Sequence, residues 1–363
     1  MTRPALILGI ESSCDETSAA VVADGRDVLA DVVASQVDLH ARFGGVVPEI
    51  ASRAHVEAIH PVIAEALERC GASPRDIAAV AVTHEPGLIG SLLVGLMAAK
   101  TLAWVWDVPL VAVNHVYAHA YSPALDADPI EYPAAALICS GGHTALYRCR
   151  SATELELLGS TIDDAAGEAF DKVAGILKLG YPGGPAIDAA AREGNPKAVK
   201  FPRSLLKGQS LDFSFSGLKT AVLYHVNGVP GARRPPARPA GRDPTGDAAA
   251  TRGKGAEHLT PDEIADIAAG FQAAVVDVLR IKLRRAAEHM GAKTLIVGGG
   301  VSANSALRDA AARLAGKMRC TLRLPELRFC VDNAAMTAGL GYHYLRAGRT
   351  AGYDLEARAT VRR

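Results

Sequence analysis

Apolar and polar positions alternate in short blocks along the first part of this chain. Ala5–Ile10 and Ser18–Ala23 read as strands, and Val46–Arg69 holds a helix with Ile50, Ala54, Ala58 and Ile63 along it. Ile77–Val82 is an aliphatic run of buried-strand type, Pro86-Gly87 turns the chain, Leu88–Trp106 is a long apolar helix, and Pro109–Val113 is a further strand. Strand and helix in that alternation predict an α/β layered architecture. One pattern occurs twice. Leu8–Val22 (LGIESSCDETSAAVV) and Leu137–Tyr147 (LICSGGHTALY) are each an apolar run, a turn of small and polar residues, and a second apolar run. Both read as β-hairpins, and the duplication predicts two lobes of similar build facing one cleft. Turns of this kind present N–H groups and hydroxyls to an anion such as phosphate.

The second lobe starts near Pro133, with Ala134–Cys139 and Thr144–Cys149 as its hairpin. Asp163-Asp164 is expected to open a helix running to Leu179 and stopped by Gly180. Thr260-Pro261-Asp262-Glu263 is a capping box for a helix reaching Met290, and Thr294–Val297 is a strand feeding Gly298-Gly299-Gly300. The resulting division is 1–115 for the first lobe, 133–335 for the second, and a C-terminal helix near 336–350 as a candidate to pack back on the first. Segment 228–257 is rich in Pro, Gly and Arg and has no large aliphatic beyond Val229. It cannot bury enough apolar area to offset chain entropy, so it reads as a mobile insertion, a solvated loop before a basic arm for RNA.

Composition changes this picture little. The 363 residues are 49% apolar, enough for two cores, and 39 bases balance 39 acids, so bulk charge argues neither for nor against nucleic acid. The six cysteines are scattered without C-x-x-C spacing, which reads as reduced and intracellular, and hence cytoplasmic. Ala5–Ile10 is too short for a signal peptide. Leu88–Trp106 carries Lys100, a charge that costs ~3 kcal/mol in lipid, so it is expected to be a buried helix and no membrane is expected.

Chemistry enters with Asn114-His115-Val116-Tyr117-Ala118-His119. Two histidines four apart share one helix face and suit a metal, although a chain with eleven histidines often holds such a pair by chance. Val116 stands where a zinc peptidase needs glutamate. Asp332, before a glycine-containing helix at Ala334–Gly341, is either that helix's cap or a third ligand, and spacing leaves both open. The glycine triplet 298–300, followed by Ser302 and Asn304 at a helix start, lets backbone approach a nucleotide, without the G-x-G-x-x-G order of a dinucleotide fold. Glu168 and Asp171 share a helix face. Tyr181-Pro182-Gly183-Gly184-Pro185 is a rigid turn followed by Asp188.

Taken together, these stretches resemble the bacterial TsaD (formerly Gcp) family of tRNA threonylcarbamoyladenosine transferases. The matching segments are GIESSCDETSAA (9–20), GGVVPEIASRAH (44–55), NHVYAHAYS (114–122), SGGHT (140–144), DDAAGEAFDKVAGILKLGYPGGPAID (163–188), DFSFSGLKTA (212–221), GGGVSAN (298–304) and CVDNAAM (330–336). The resemblance implies an α/β, two-lobed fold of the actin-like ATPase and sugar-kinase (ASKHA) type, with nucleotide and metal in the interlobe cleft. It implies that His115, His119 and Asp332 hold one divalent metal per subunit, iron first and zinc second. It further implies that Ile138, Cys139, Ser140, Gly141, Gly142, Asp171, Gly184, Asp188 and Asn304 bind the adenylate. The implied reaction moves the threonylcarbamoyl group from threonylcarbamoyl-AMP to N6 of adenosine 37 in tRNAs reading codons that begin with A, releasing AMP. For a base, Asp15 or Glu16 in the first hairpin tip is the candidate, with lining of the cleft by charge as the other role. Implied partners are tRNA, an inactive TsaB-like paralogue and a small TsaE-like ATPase. Two features depart from the family pattern: Glu85 stands where glycine is expected before Pro86-Gly87, and the 228–257 insertion is longer than usual. The rival readings are a small-molecule kinase on the same fold, a metallopeptidase, and a non-catalytic scaffold.

Overall fold

A computed structural model describes residues 3–204, 206, 208–228 and 255–360. The alternating runs become two five-stranded sheets. The first holds β1 (Leu6–Glu11), β2 (Glu16–Ala23) and β3 (Asp27–Ser35), followed by α1 (Val37–Ala41), α2 (Pro48–Cys70), β4 (Ile77–Glu85), α3 (Ile89–Trp106), β5 (Leu110–Asn114) and α4 (His115–Tyr121). The second holds β6 (Ala134–Cys139), β7 (Thr144–Ser151) and β8 (Glu154–Ser160). After these come α5 (Ala166–Leu177), α6 (Gly183–Glu193), α7 (Ser216–Asn227), α8 (Pro261–Met290), β9 (Thr294–Gly298), α9 (Ser305–Met318), β10 (Thr321–Arg323) and α10 (Ala334–Arg346).

The strand orders, β3-β2-β1-β4-β5 and β8-β7-β6-β9-β10, are the same topology built twice. In each, a three-stranded antiparallel meander is extended by two strands parallel to its first, β1–β4–β5 and β6–β9–β10. The two hairpins seen in the sequence occupy the same place in each sheet, pairing Glu11 with Ser18 and Cys139 with Thr144 at their tips.

Strand periodicity builds the layers. On β6, Ala135, Leu137 and Cys139 enter a core shared with α5, α8 and α9, while Ala134, Ala136 and Ile138 face inward. On β1, Ile7 faces inward and Leu8 and Ile10 pack outward with α2 and α3. Between the sheets lie α4 and α10, contributing Val116, Ala118, Met336, Ala338 and Leu340 to a common central core. Small residues on both helices let the two sheets close on them, and the metal-binding candidates lie at the ends of this central layer.

Several local expectations change. α5 begins at Ala166, and Asp163 is spent elsewhere: its carboxylate accepts from the Phe215 and Ser216 N–H groups and from the Ser214 and Ser216 hydroxyls, anchoring the start of α7. The buried residues of α2 are Ala51, His55, Val62, Ile63 and Ala66, in place of Ile50, Ala54 and Ala58. α3 is buried on one face only; Ile89, Leu93, Met97, Trp104 and Val105 are exposed. It is the single helix among the described residues long and apolar enough to cross a membrane, with a third of its span buried in the protein. The capping box of α8 forms as expected, Glu263 N donating to Thr260 Oγ1 and Thr260 N to Glu263 Oε2. Of the insertion expected at 228–257, residues 229–254 lie outside the described residues.

Candidate metal centre and adjoining nucleotide pocket

β5 runs directly into α4. Asn114 caps that helix, its Oδ1 accepting from Val116 N at 3.0 Å and Tyr117 N at 3.2 Å. The cap fixes where the first turn starts and so where His115 and, one turn on, His119 point. At the far end of the chain Asn333, and not Asp332, caps α10, accepting from Met336 N at 2.9 Å. Asp332 is thereby free to cross the cleft. Its Oδ1 lies 3.0 Å from His119 Nε2 and 3.4 Å from His115 Nε2. The three ligand atoms lie within 4.8 Å of one another.

This set fits a metal ion. Atoms bonded at about 2.0–2.2 Å to one ion stand about 3.0–3.5 Å apart, which is the spacing observed around Asp332. The outer contacts fit as well. Glu11, fully buried, places Oε2 3.2 Å from His115 Nδ1, so Nδ1 carries the proton and Nε2 keeps its lone pair for a ligand. Thr83 Oγ1 donates to Glu11 Oε2 at 2.6 Å and Ser13 N to Glu11 Oε1 at 2.7 Å, while Thr337 Oγ1 stands 3.4 Å from Oε2. His119 Nδ1 is buried without a hydrogen-bond partner, a cost accepted in holding Nε2 at Asp332.

The three side chains also bias one another's protonation. Burial opposes a charge on His115, but Asp332 and Glu11 outweigh it and raise its pKa well above the usual value. Burial, reinforced by the charge on His115, lowers that of His119. Burial raises the Asp332 carboxyl, but the two imidazoles win and hold it well below the usual range.

The first hairpin tip forms the wall beside this centre. Ser13, Cys14, Asp15 and Glu16 line a cavity of about 400 Å3 together with His115, Asp332, Ser140, Gly141 and Gly142. His55 steadies the tip, donating from Nε2 to Cys14 O at 2.9 Å and accepting from Thr17 Oγ1 at 2.7 Å. Burial first, then the charges of Asp332 and Asp15, push the Glu16 carboxyl up to about 9. Burial thus favours the neutral form of Glu16, and Asp15 and Glu16 both face the cavity that His115 and Asp332 line.

A second cavity, of about 530 Å3, adjoins the first and shares Gly141, Gly300 and Val331 with it. Asp171, Gly184, Asp188 and Asn304 line it. A Cβ added at Gly141, Gly142, Gly184 or Gly300 would meet open space, so backbone is bared to whatever enters. Gly298 and Gly299 serve packing. A Cβ at Gly298 would stand 2.3 Å from His119 O, and Gly299 adopts φ +83° against Cys139 O. The turn after β9 thus rests on both α4 and the second hairpin. Asp171 Oδ1 accepts from Gly183 N at 2.7 Å, and Asp188 Oδ1 from Ser305 Oγ at 2.8 Å. Asn304 caps α9 through Leu307 N and donates to buried Gln272 Oε1 at 2.7 Å. Ile138 and Cys139 are fully buried beneath the hairpin tip and line neither cavity; Glu168 pairs with Lys172 on the surface.

Glu11, Thr83, Thr337, His55 and Gln272 also support the site and carry no signal in the sequence pattern. Each acts through a partner far away in the chain, and no spacing announces such a contact.

Comparison with known proteins agrees with this geometry. Residues 27–339 match the family described as TsaD, tRNA N6-adenosine threonylcarbamoyltransferase. Proteins of that name from Anaeromyxobacter dehalogenans (strain 2CP-C) and Thermomicrobium roseum are 49% and 51% identical over 360 residues, 98% of this chain and 98% and 96% of theirs. Among solved structures, component A of the (R)-2-hydroxyglutaryl-CoA dehydratase of Acidaminococcus fermentans aligns with TM-score 0.51 and 16% identity, over 95% of this chain and 99% of its own. Full-length HypF in its phosphate- and nucleotide-bound form aligns with TM-score 0.59 and 12% identity, over 96% of this chain and 47% of its own. At such identities the likeness is one of fold, the actin-like ATPase fold.

Proposed function

This chain belongs to the tRNA N6-adenosine threonylcarbamoyltransferase family, and from that premise we propose how its cleft performs the transfer. The enzyme forms t6A on tRNA. The donor in this reading is threonylcarbamoyl-AMP and the acceptor is N6 of adenosine 37 in tRNAs reading codons that begin with A. The observation that carries it is the junction of the two cavities: a glycine-lined nucleotide pocket opens at Gly141 and Gly300 onto the side where His115, His119 and Asp332 converge.

With the adenylate seated against Asp171, Gly184, Asp188 and Asn304, its phosphate reaches the second hairpin tip at Ser140–Gly142, and the acyl group enters the metal-side cavity. Bringing the two reactants together there supplies several kcal/mol of the barrier reduction. The N6 amine attacks the carbamoyl carbon, the new C–N bond forms, the bond to phosphate oxygen breaks and AMP leaves. Asp15 takes the amine proton. A divalent ion held by His115, His119 and Asp332 would act as a Lewis acid on an oxygen of the mixed anhydride. Two imidazoles and one carboxylate with open positions suit Fe2+ first, with Zn2+ the rival. Glu11 and Thr83 orient His115, and hairpin N–H groups favour charge on the departing phosphate.

The reading includes an inactive TsaB-like paralogue, a small TsaE-like ATPase and a cytoplasmic location. The exposed stripe Ile89, Leu93 and Met97 on α3 supports a protein partner for the first lobe, since exposed apolar patches mark interaction surfaces. A single-turnover assay of Asp15→Asn, with metal content and AMP affinity measured alongside, tests the chemistry. A rate loss of about 10²-fold or more with both bindings retained is expected; full activity removes Asp15 from the mechanism. Offering ATP and sugars in place of the acyl-adenylate tests the kinase alternative.

A further inference from the structure

The last described stretch of the chain returns to the site. After α10 it crosses the ends of β5 and β4, with Ala351 N donating to Leu110 O and Arg358 N to His84 O, both at 2.8 Å. Leu355 and Ala357 pack on the outer core of the first sheet, and His84 Nδ1 donates to Glu356 O at 3.3 Å.

Glu85, the residue standing where glycine was expected, ties this tail to the metal centre. Its Oε1 accepts from Asn114 Nδ2 at 3.3 Å, and Asn114 is the cap of α4. Its Oε2 is buried without a hydrogen bond, and the guanidinium of Arg358 stands 3.7 Å from it. The arginine compensates a carboxylate oxygen that is otherwise costly to bury. One residue beyond this clip, Ala359 joins Pro86, Leu88 and Val331 in the lining of the metal-side cavity. The rest of that lining is largely polar and belongs to the hairpin tips and the metal ligands.

We propose that the C-terminal tail is the wall of the acyl half of the donor site. Glu85 and Arg358 hold it as positioning residues, and the small side chain of Ala359 leaves room for the amino-acid end of the acyl group. This rests on the adenylate reading: with the nucleotide in the larger cavity, an acyl group on its phosphate has to extend past Gly141 and Gly300 toward this wall. The methyl group of a threonyl moiety suits the apolar side formed by Pro86, Leu88, Val331 and Ala359. A bulkier residue at 359 therefore discriminates against the acylated nucleotide and leaves the bare one alone.

The test is calorimetric titration of the metal-loaded full chain with AMP and, separately, with threonylcarbamoyl-AMP in the absence of tRNA. Ala359 is exposed, so Ala359→Trp leaves the fold intact. Its affinity for AMP is expected to stay within about twofold of wild type while that for threonylcarbamoyl-AMP falls by about tenfold or more. Glu85→Gln and Arg358→Ala shift the same ratio less, and the conservative Arg358→Lys, which keeps a cation facing Glu85, restores it, whereas a general loss of stability would lower both affinities together. Unchanged donor affinity in Ala359→Trp, or equal loss for both nucleotides, overturns the assignment of the wall. A wild-type chain that binds neither nucleotide overturns the adenylate reading itself, and the wall with it.

Discussion

His115 lies between two carboxylates, the half-buried Asp332 at Nε2 and the fully buried Glu11 at Nδ1. His115 would hold a metal ion through Nε2 while Nδ1 keeps its contact with Glu11. Glu11→Gln should therefore keep the site but weaken it by about 10–100-fold, whereas the pair His115→Ala/His119→Ala should empty it; equilibrium dialysis with atomic emission distinguishes the two. Asp31 offers a test of pH dependence. Burial raises its carboxyl from 3.8 to about 6, against the weaker help of Ser18. The folded state thus binds this proton more tightly than the unfolded chain. The contribution of this group to stability is therefore full below about pH 4, is lost as pH rises from about 4 to 6, and stays absent above. Asp31→Asn should stabilise the protein at pH 7 by about 1–3 kcal/mol and change little at pH 4, measured by denaturant unfolding at both. At this scale the candidate metal ligands His115 and His119 were legible because two histidines share a helix face. The cap-or-ligand question at Asp332 was not, because it turned on whether its neighbour Asn333 would take the cap.

Among elements, the turn after β9 and the second hairpin tip make a matched pair of glycine tests. Gly298→Ala drives a Cβ into the His119 carbonyl, backbone against backbone, at 2.3 Å. It should cost about 1–3 kcal/mol and loosen metal binding through α4. Gly141→Ala meets nothing, so thermal unfolding should stay near wild type while AMP affinity drops; titration calorimetry checks both. Elements with their own local signals were readable: the capping box of α8, the alternation of β6, the two hairpins. The start of α5 was misplaced because Asp163 has the composition of a helix start but serves the loop before α7. On α2, His55 turns inward to hold Cys14 and Thr17, a choice made by the hairpin tip and not by hydropathy.

At the scale of the whole molecule, the described residues form one topology built twice, and its two copies meet across α4 and α10, which carry or adjoin all three candidate ligands. The repeated hairpin made that duplication visible in the sequence. The packing of α10 between the sheets, and the return of the tail to the cleft, depend on contacts between distant parts of the chain that periodicity does not encode. A cleft of this kind predicts linked stabilisation: AMP at about 100 times its Kd should raise the unfolding free energy by about 2.7 kcal/mol. The central claim is that a cleft holding an acyl-adenylate beside a His115–His119–Asp332 centre makes t6A. It is tested most directly by nucleoside mass spectrometry of unmodified tRNA incubated with threonylcarbamoyl-AMP, partner proteins and either the metal-loaded chain or its His115→Ala/His119→Ala variant. The account predicts t6A with the first and none with the second. Equal t6A from both, or none from the loaded chain with its partners present, would contradict it.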